Sequence, residues 1–371
     1  MMQSNELFCG RAERAVLSLR ALYRAHGYSQ YKMSKFEEYD LYVRNKSFLI
    51  SDHVITLTDT TGRLLALKPD VTLSIVKNSR DTAGVKKVYY NENVYRTAAA
   101  SHDFREITQV GLECMGEIDA YCTAEVLSLA ARSLDALSPE FVLEVSHLDV
   151  VSHLLDSVGA EGAMRAELLR FLAEKNTHDI RALCASCGWD NESVELLCAL
   201  VAVSGTPSSV RAQLDALSVA CPNVKGAMDE LYDAIGQLET EGFGAQLRLD
   251  FSLINDMNYY NGIVFRGYIK GVPTRILSGG RYDGLMHKMG KRQSAIGFAV
   301  YLDLLDGLNE PPAEYDVDTV VLYDATTPTA RVSAAVAACV SAGERALALR
   351  ELTDGLRYRE LVDLRGDKCC E

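Results

Sequence analysis

Phe104-Arg105-Glu106-Ile107-Thr108-Gln109-Val110-Gly111-Leu112-Glu113 is the stretch on which the fold turns. Its apolar and β-branched content predicts a strand, and a period of two divides it into two faces. One face carries Arg105, Ile107, Gln109, Gly111 and Glu113, and the other carries Glu106, Thr108, Val110 and Leu112. Gln109 and Glu113 then stand about 13 Å apart along the strand, with side-chain-free Gly111 between them. Upstream, residues 88–96 make a second strand-like run, and the small and polar residues from Thr97 to Asp103 join the two as a long hairpin. That partner brings Tyr90, Glu92, Val94 and Arg96 onto one face. An amide, carboxylates and an arginine around a glycine read as a polar floor for a small ligand. The plainer reading of the same pattern is a solvated sheet face.

The 371 residues are enough for about two or three domains. A hydrophobic share of 48% with 24% charged residues is ordinary globular composition. The net charge of −13 argues against a protein whose main task is gripping phosphate backbones. No apolar run approaches the roughly 20 residues that span a bilayer. Met1 to Glu6 lack the regions of a secretory signal, and the ten cysteines read as reduced thiols, so a cytoplasmic location is expected.

The spacing predicts a helix over 6–26, a hairpin from 54–59 and 64–67, a helix over 119–137, a strand at 141–145 and a helix after Ser146. Residues 160–243 are Ala-, Leu- and Glu-rich with no clear strand and read as a helical insertion. Strands resume at 247–251, 259–268 and 274–277, and a helix is expected from Phe298 to Leu308. After a Pro311-Pro312 linker, 318–323, 329–342 and 345–349 form a β-α-β unit. The order is not a regular β-α alternation, so the fold class is α+β: an antiparallel sheet flanked by helices. The expected division is a core in two parts, 1–159 and 244–310, around the insertion at 160–243, followed by a small α/β unit at 316–371.

Four segments in order carry a resemblance. Val94-Tyr95-Arg96 with the strand from Phe104 closely resembles motif 2 of the class II aminoacyl-tRNA synthetases in its histidyl form. Leu67-Lys68-Pro69-Asp70-Val71-Thr72 is similar to that family's Leu-Arg-Pro-Glu-Gly-Thr segment, Asn258-Tyr259-Tyr260-Asn261-Gly262-Ile263-Val264-Phe265 to its histidine-specific signature, and Ser278-Gly279-Gly280-Arg281-Tyr282-Asp283-Gly284-Leu285 to its Gly-Gly-Arg-Tyr-Asp-Gly-Leu. The resemblance covers roughly residues 5–310 and implies a class II synthetase-like sheet. It implies that histidine is held by Asp70 and Thr72 at its ammonium, by Gln109 and Arg96 at its carboxylate, and by Glu113 and Tyr260 at its imidazole, with Tyr259 also among the histidine-binding residues. Carboxylates suit ammonium and imidazole N–H groups, and arginine suits a carboxylate. Asp70 is one methylene shorter than the family's Glu. Arg105, Arg281 and Tyr282 are further candidates for the pocket.

The groups that activate ATP in the synthetases are replaced. Their Arg-x-Glu is Arg96-Thr97-Ala98 here, Leu304 stands at the motif 3 arginine, and Asn255 stands at the arginine that opens the histidine signature. Such cations stabilise charge on a transferring phosphoryl group, so adenylation is not expected. Residues 310–371 hold 12 acidic and 7 basic residues, too few residues for an anticodon-binding domain and the wrong charge for RNA. A histidine pocket without either apparatus resembles the regulatory subunits of ATP phosphoribosyltransferase. That resemblance implies a non-catalytic homodimer core within a hetero-oligomer, a short-form catalytic subunit as partner, L-histidine as effector, and no cofactor, tRNA or membrane. An active histidyl-tRNA synthetase-like enzyme is the alternative.

Cys184-Ala185-Ser186-Cys187, with His178 and Cys198, has the residue types of a zinc site but not its full spacing, so buried small side chains are the preferred reading and no metal is expected. His147, His153 and His287 have no partner at a recognisable spacing and read as packing or surface residues. Gly279, Gly280 and Gly284 read as turn residues.

Overall fold

The structure is a computed structural model that describes residues 10–45, 54–81, 84–97, 103–254, 257, 259–305 and 314–366. The hairpin tip at 98–102, Asn255, Asn258 and the Pro311-Pro312 linker lie outside the described residues.

In chain order the elements begin with α1 (Arg11–Ala25), β1 (Ser29–Gln30), β2 (Phe36–Glu38), α2 (Tyr39–Arg44), β3 (Thr56–Thr58), β4 (Leu64–Leu67) and α3 (Thr72–Asn78). The long hairpin follows as β5 (Lys86–Thr97) and β6 (Phe104–Gly116), then α4 (Ala120–Leu137), β7 (Phe141–His147) and α5 (Leu148–Ser157). A helical stretch comprises α6 (Gly162–Ala173), α7 (Thr177–Ser186), α8 (Asn191–Ala202), the two-residue β8 (Ser204–Gly205), α9 (Pro207–Ala220) and α10 (Lys225–Thr240). Then come β9 (Leu247–Asp250), β10 (Asn261–Ile269), β11 (Leu277–Arg281), α11 (Asp283–Lys288) and β12 (Ser294–Tyr301).

Among the described residues these strands build a nine-stranded sheet in the order β1-β5-β6-β12-β11-β10-β7-β9-β8, beside a small β2-β4-β3 sheet. Its pairs are antiparallel except β1 with β5 and β7 with β9. The hairpin register runs from Lys86 opposite Met115 to Thr97 opposite Phe104, which puts Tyr90 across from Gly111 and Glu92 across from Gln109. Apolar stripes bury the helices against the sheet: Leu19 and Tyr23 of α1, and Val126, Leu127, Ala130 and Leu134 of α4, are fully covered. Asp119 caps α4 by accepting the Cys122 N–H at 2.8 Å.

The described residues up to Leu305 form one compact unit, and those from 314 onward belong to another. The second holds β13 (Val317–Leu322), α12 (Thr329–Ser341), β14 (Ala346–Leu349) and β15 (Tyr358–Asp363), with β13 central and parallel to both neighbours.

Three expectations from the sequence are corrected. The helix expected from Phe298 to Leu308 is instead strand β12, followed by a short 3₁₀ turn at Leu302–Leu305. Residues 295–301 are almost wholly apolar, and burial between two strands leaves no polar face from which a period could be read. The strand expected at 274–277 lies at 277–281, so Gly279 and Gly280 are strand residues rather than turns. A Cβ on Gly280 would come within 2.8 Å of the Tyr260 ring, and one on Gly279 within 2.7 Å of the Phe265 ring. Close approach of aromatic rings, not chain reversal, demands glycine there. Lastly, the helical stretch does contribute a strand, because Ser204 and Gly205 extend the sheet edge beside β9.

Candidate ligand-binding site

The central strands carry small residues on one face, and that is what makes room for a buried carboxylate. Glu113 projects from β6 directly opposite Gly297 of β12, and is only 2% exposed. A Cβ on Gly297 would overlap the Glu113 carboxylate and the Leu112 carbonyl. Gly111 plays the same part for Tyr90, whose ring and hydroxyl lie where its Cβ would be. Two hydroxyls grip the carboxylate: Thr72 Oγ1 donates to Oε1 at 2.8 Å, and Tyr282 OH donates to Oε2 at 2.7 Å. Thr72 opens α3, and Tyr282 follows β11, so three separate elements converge on one side chain.

Burial is the main influence on Glu113. It pushes the carboxyl up to about 8, against the pull of the two hydroxyl bonds and with some help from neighbouring Asp70. Glu113 therefore holds a proton near neutral pH, and an incoming N–H donor or cation would supply what the carboxylate lacks. A stability consequence follows by linkage. Between the ordinary carboxyl value and about 8, the folded chain binds a proton that the unfolded chain does not. Stability is therefore highest at the acid end of that window and falls as pH rises through it, by up to about 4 kcal/mol. Thermal unfolding of the ligand-free chain between pH 5 and 8 is expected to show this decline, and Glu113→Gln to flatten it. A wild-type profile that rises over that range would contradict the assignment.

Asp70 sits beside this group, 6% exposed, and its Oδ1 accepts the Leu73 N–H at 2.8 Å, which helps begin α3. Burial raises its carboxyl, opposed by that N–H and by the Arg96 guanidinium. Arg96 Nε donates to the Pro69 carbonyl at 3.0 Å, tying β5 to the segment that carries Asp70 and Thr72. Lys68 in the same segment is fully buried, with Nζ 2.8 Å from Glu92 Oε2. Gln109 is 3% exposed and lies between Glu92 on β5 and Tyr301 on β12. Half-buried Tyr259 and Tyr260 meet edge to face with centroids 4.7 Å apart, and the Tyr259 ring lies 6.1 Å from that of Tyr282.

The fold thus brings Asp70, Thr72, Glu113, Tyr259, Tyr260 and Tyr282 together, and it sets Arg96 and Gln109 further along the hairpin on the same face as Glu113. Arg105, directly across the hairpin from Arg96, is exposed. Arg281 leaves the strand on the other side from Tyr282 and bonds Asp283 and Glu230 instead. Gly297 shapes the site although the sequence pattern alone assigned it no role. Fully buried His147 pairs with Glu230 at 3.4 Å, while His153 and His287 are exposed. Cys184 is buried between helices, whereas Cys187 and His178 are exposed. Among the described residues no cluster of three metal-capable side chains occurs, and no helix is long and apolar enough to cross a membrane.

A family model described as histidyl-tRNA synthetase matches residues 8–305, most of the chain. The chain belongs to the histidyl-tRNA synthetase family. Within that family the chain is similar to curated proteins described as regulatory subunits. It is 29% identical over 283 residues to an ATP phosphoribosyltransferase regulatory subunit of Alkaliphilus metalliredigens, covering 75% of this chain and 71% of that one. It is 28% identical over 341 residues to the protein of the same description from Clostridium acetobutylicum, covering 88% and 83%. A crystal structure from Bacillus halodurans, described as an ATP phosphoribosyltransferase regulatory subunit/histidyl-tRNA synthetase, superposes with a TM-score of 0.79 at 25% identity, covering 96% of this chain and 94% of that one. The nine-stranded sheet with its flanking helices is accordingly the class II synthetase fold expected of the family.

Proposed function

We propose that this chain is the non-catalytic regulatory subunit of an ATP phosphoribosyltransferase, acting at the first step of histidine biosynthesis. The observation that carries the reading is a divided inheritance. The Glu113 site is built with its Thr72 and Tyr282 contacts, while Leu304 occupies the place of the motif 3 arginine in the 3₁₀ turn after β12. A synthetase-family member that keeps an amino-acid pocket but lacks the cation for phosphoryl chemistry can sense its ligand without activating it. The relatives described above bear the regulatory name over most of their length.

The finer reading is that the effector is L-histidine. Its imidazole would meet Glu113 between the Tyr259, Tyr260 and Tyr282 rings, its carboxylate Arg96 and Gln109, and its ammonium Asp70 and Thr72. The charge pattern supports it, since the buried acid lies at one end and the guanidinium at the other. The partner is a short-form catalytic subunit, with this chain as a homodimer core in a cytoplasmic hetero-oligomer.

Reconstitution tests the function. Mixing the purified chain with a short-form catalytic subunit is expected to raise phosphoribosyl transfer at least about tenfold and to make it sensitive to histidine. The isolated chain is expected to give no histidine-dependent pyrophosphate exchange. A failure to associate would overturn the regulatory reading, and such exchange would return the chain to the synthetases.

A further inference from the structure

Tyr282 and Arg281 are consecutive, yet they serve opposite sides of the sheet. Tyr282 donates to Glu113 in the pocket, whereas Arg281 Nη1 lies 3.6 Å from Glu230 Oε1 on α10, the last helix of the helical stretch. Glu230 Oε2 also takes His147 Nε2 at 3.4 Å, and His147 ends strand β7 with its Nδ1 buried and unpartnered. The turn between the two sides is braced. Asp283 accepts Arg281 Nε at 2.8 Å and the Ala295 N–H at 3.0 Å, and its own N–H donates to Asn261 Oδ1 at 2.7 Å. Arg281, joined to Tyr282 by one peptide, is paired with Asn261 of β10 and Ile296 of β12, so a shift of the Tyr282 backbone is passed to Arg281.

We propose that residues 281–283 couple occupancy of the Glu113 pocket to α10, making the helical stretch the element that reports bound effector. The coupling rests on the functional reading above and extends it. The Tyr282 hydroxyl occupies Glu113 Oε2. An incoming imidazole N–H competes for that oxygen, Tyr282 turns, and Arg281 is drawn away from Glu230. His147 then keeps only a weakened hold on the helix, and α10 loosens from the sheet end. A ligand shifts such an element only through differential contact with its two states, and the contested bond at Glu113 supplies the difference.

Reciprocity makes the proposal testable without knowing the catalytic partner. Hydrogen exchange on the full-length chain is expected to quicken several-fold over residues 225–240 when saturating L-histidine is added. Glu230→Gln removes the ion pair but lies outside the pocket. By calorimetry it is expected to bind histidine about fivefold more tightly, since binding no longer has to break the contact, and its α10 exchange should no longer respond to ligand. Wild-type exchange over 225–240 that ignores bound histidine overturns the coupling, as does a Glu230→Gln variant whose affinity is unchanged or weaker. If the wild-type chain binds no histidine at all, the functional reading fails and the coupling falls with it.

Discussion

Glu113→Ala is expected to weaken histidine binding by about two orders of magnitude, the largest effect of any single change in the pocket. The side chain is 2% exposed and is held by two hydroxyl donors, Thr72 and Tyr282, each within 2.8 Å. Truncation removes the acceptor and leaves those hydroxyls and the imidazole N–H without it. An unmet buried donor costs about 1–3 kcal/mol, and more for a charged one. Titration calorimetry at pH 7 checks it. Unchanged affinity would place the effector elsewhere, and the Glu113 cluster would then be a structural remnant. Tyr282→Phe leaves the carboxylate and frees its Oε2 for the imidazole N–H, so it is not expected to share that loss.

Gly297→Ala is expected to be nearly as damaging, although alanine adds one carbon. Overpacking usually costs about 1–3 kcal/mol because neighbours move aside. Here one obstacle is the Leu112 carbonyl on a paired central strand, and the other is the Glu113 carboxylate. Relief requires Glu113 to swing, which breaks its bonds to Thr72 and Tyr282. The expected loss is about 3 kcal/mol of folding stability, with histidine affinity falling together with it. Urea unfolding reads the first, as a lower midpoint at an unchanged slope, and calorimetry the second. Gly284→Ala is the control: nothing lies within 4 Å of its Cβ position, so it should be neutral. A Gly297→Ala variant as stable as wild type would mean that the carboxylate has another place to go.

Much of the pocket was legible along the chain for a simple reason. On a strand, alternate residues share a face, so Gln109, Gly111 and Glu113 can be grouped from their numbers alone, and the hairpin adds Tyr90, Glu92 and Arg96. The motif resemblance then placed Asp70, Thr72, Tyr259 and Tyr260 beside them, though they lie far apart in sequence. Arg281 and Tyr282 show the limit. Adjacent residues at a strand end point oppositely, and which of them meets the pocket depends on the side of the sheet that faces it. Tyr282 reaches Glu113, and Arg281 reaches Glu230.

The strand β12 is the clearest case of tertiary control. Its apolar run suits a buried helix or a buried strand equally, and only pairing with β6 and β11 decides between them. The choice matters, because a strand is what sets Gly297 across from Glu113.

The opening stretch, Phe104 to Glu113, was determined by sequence alone as to strand, face and polar character, since those follow from local periodicity and residue chemistry. What that carboxylate does was decided by the tertiary structure. Burial by elements from residues 72, 282 and 297 turns an ordinary surface acid into one that keeps its proton near neutral pH, because a charge withdrawn from water must find its partners in space rather than in sequence.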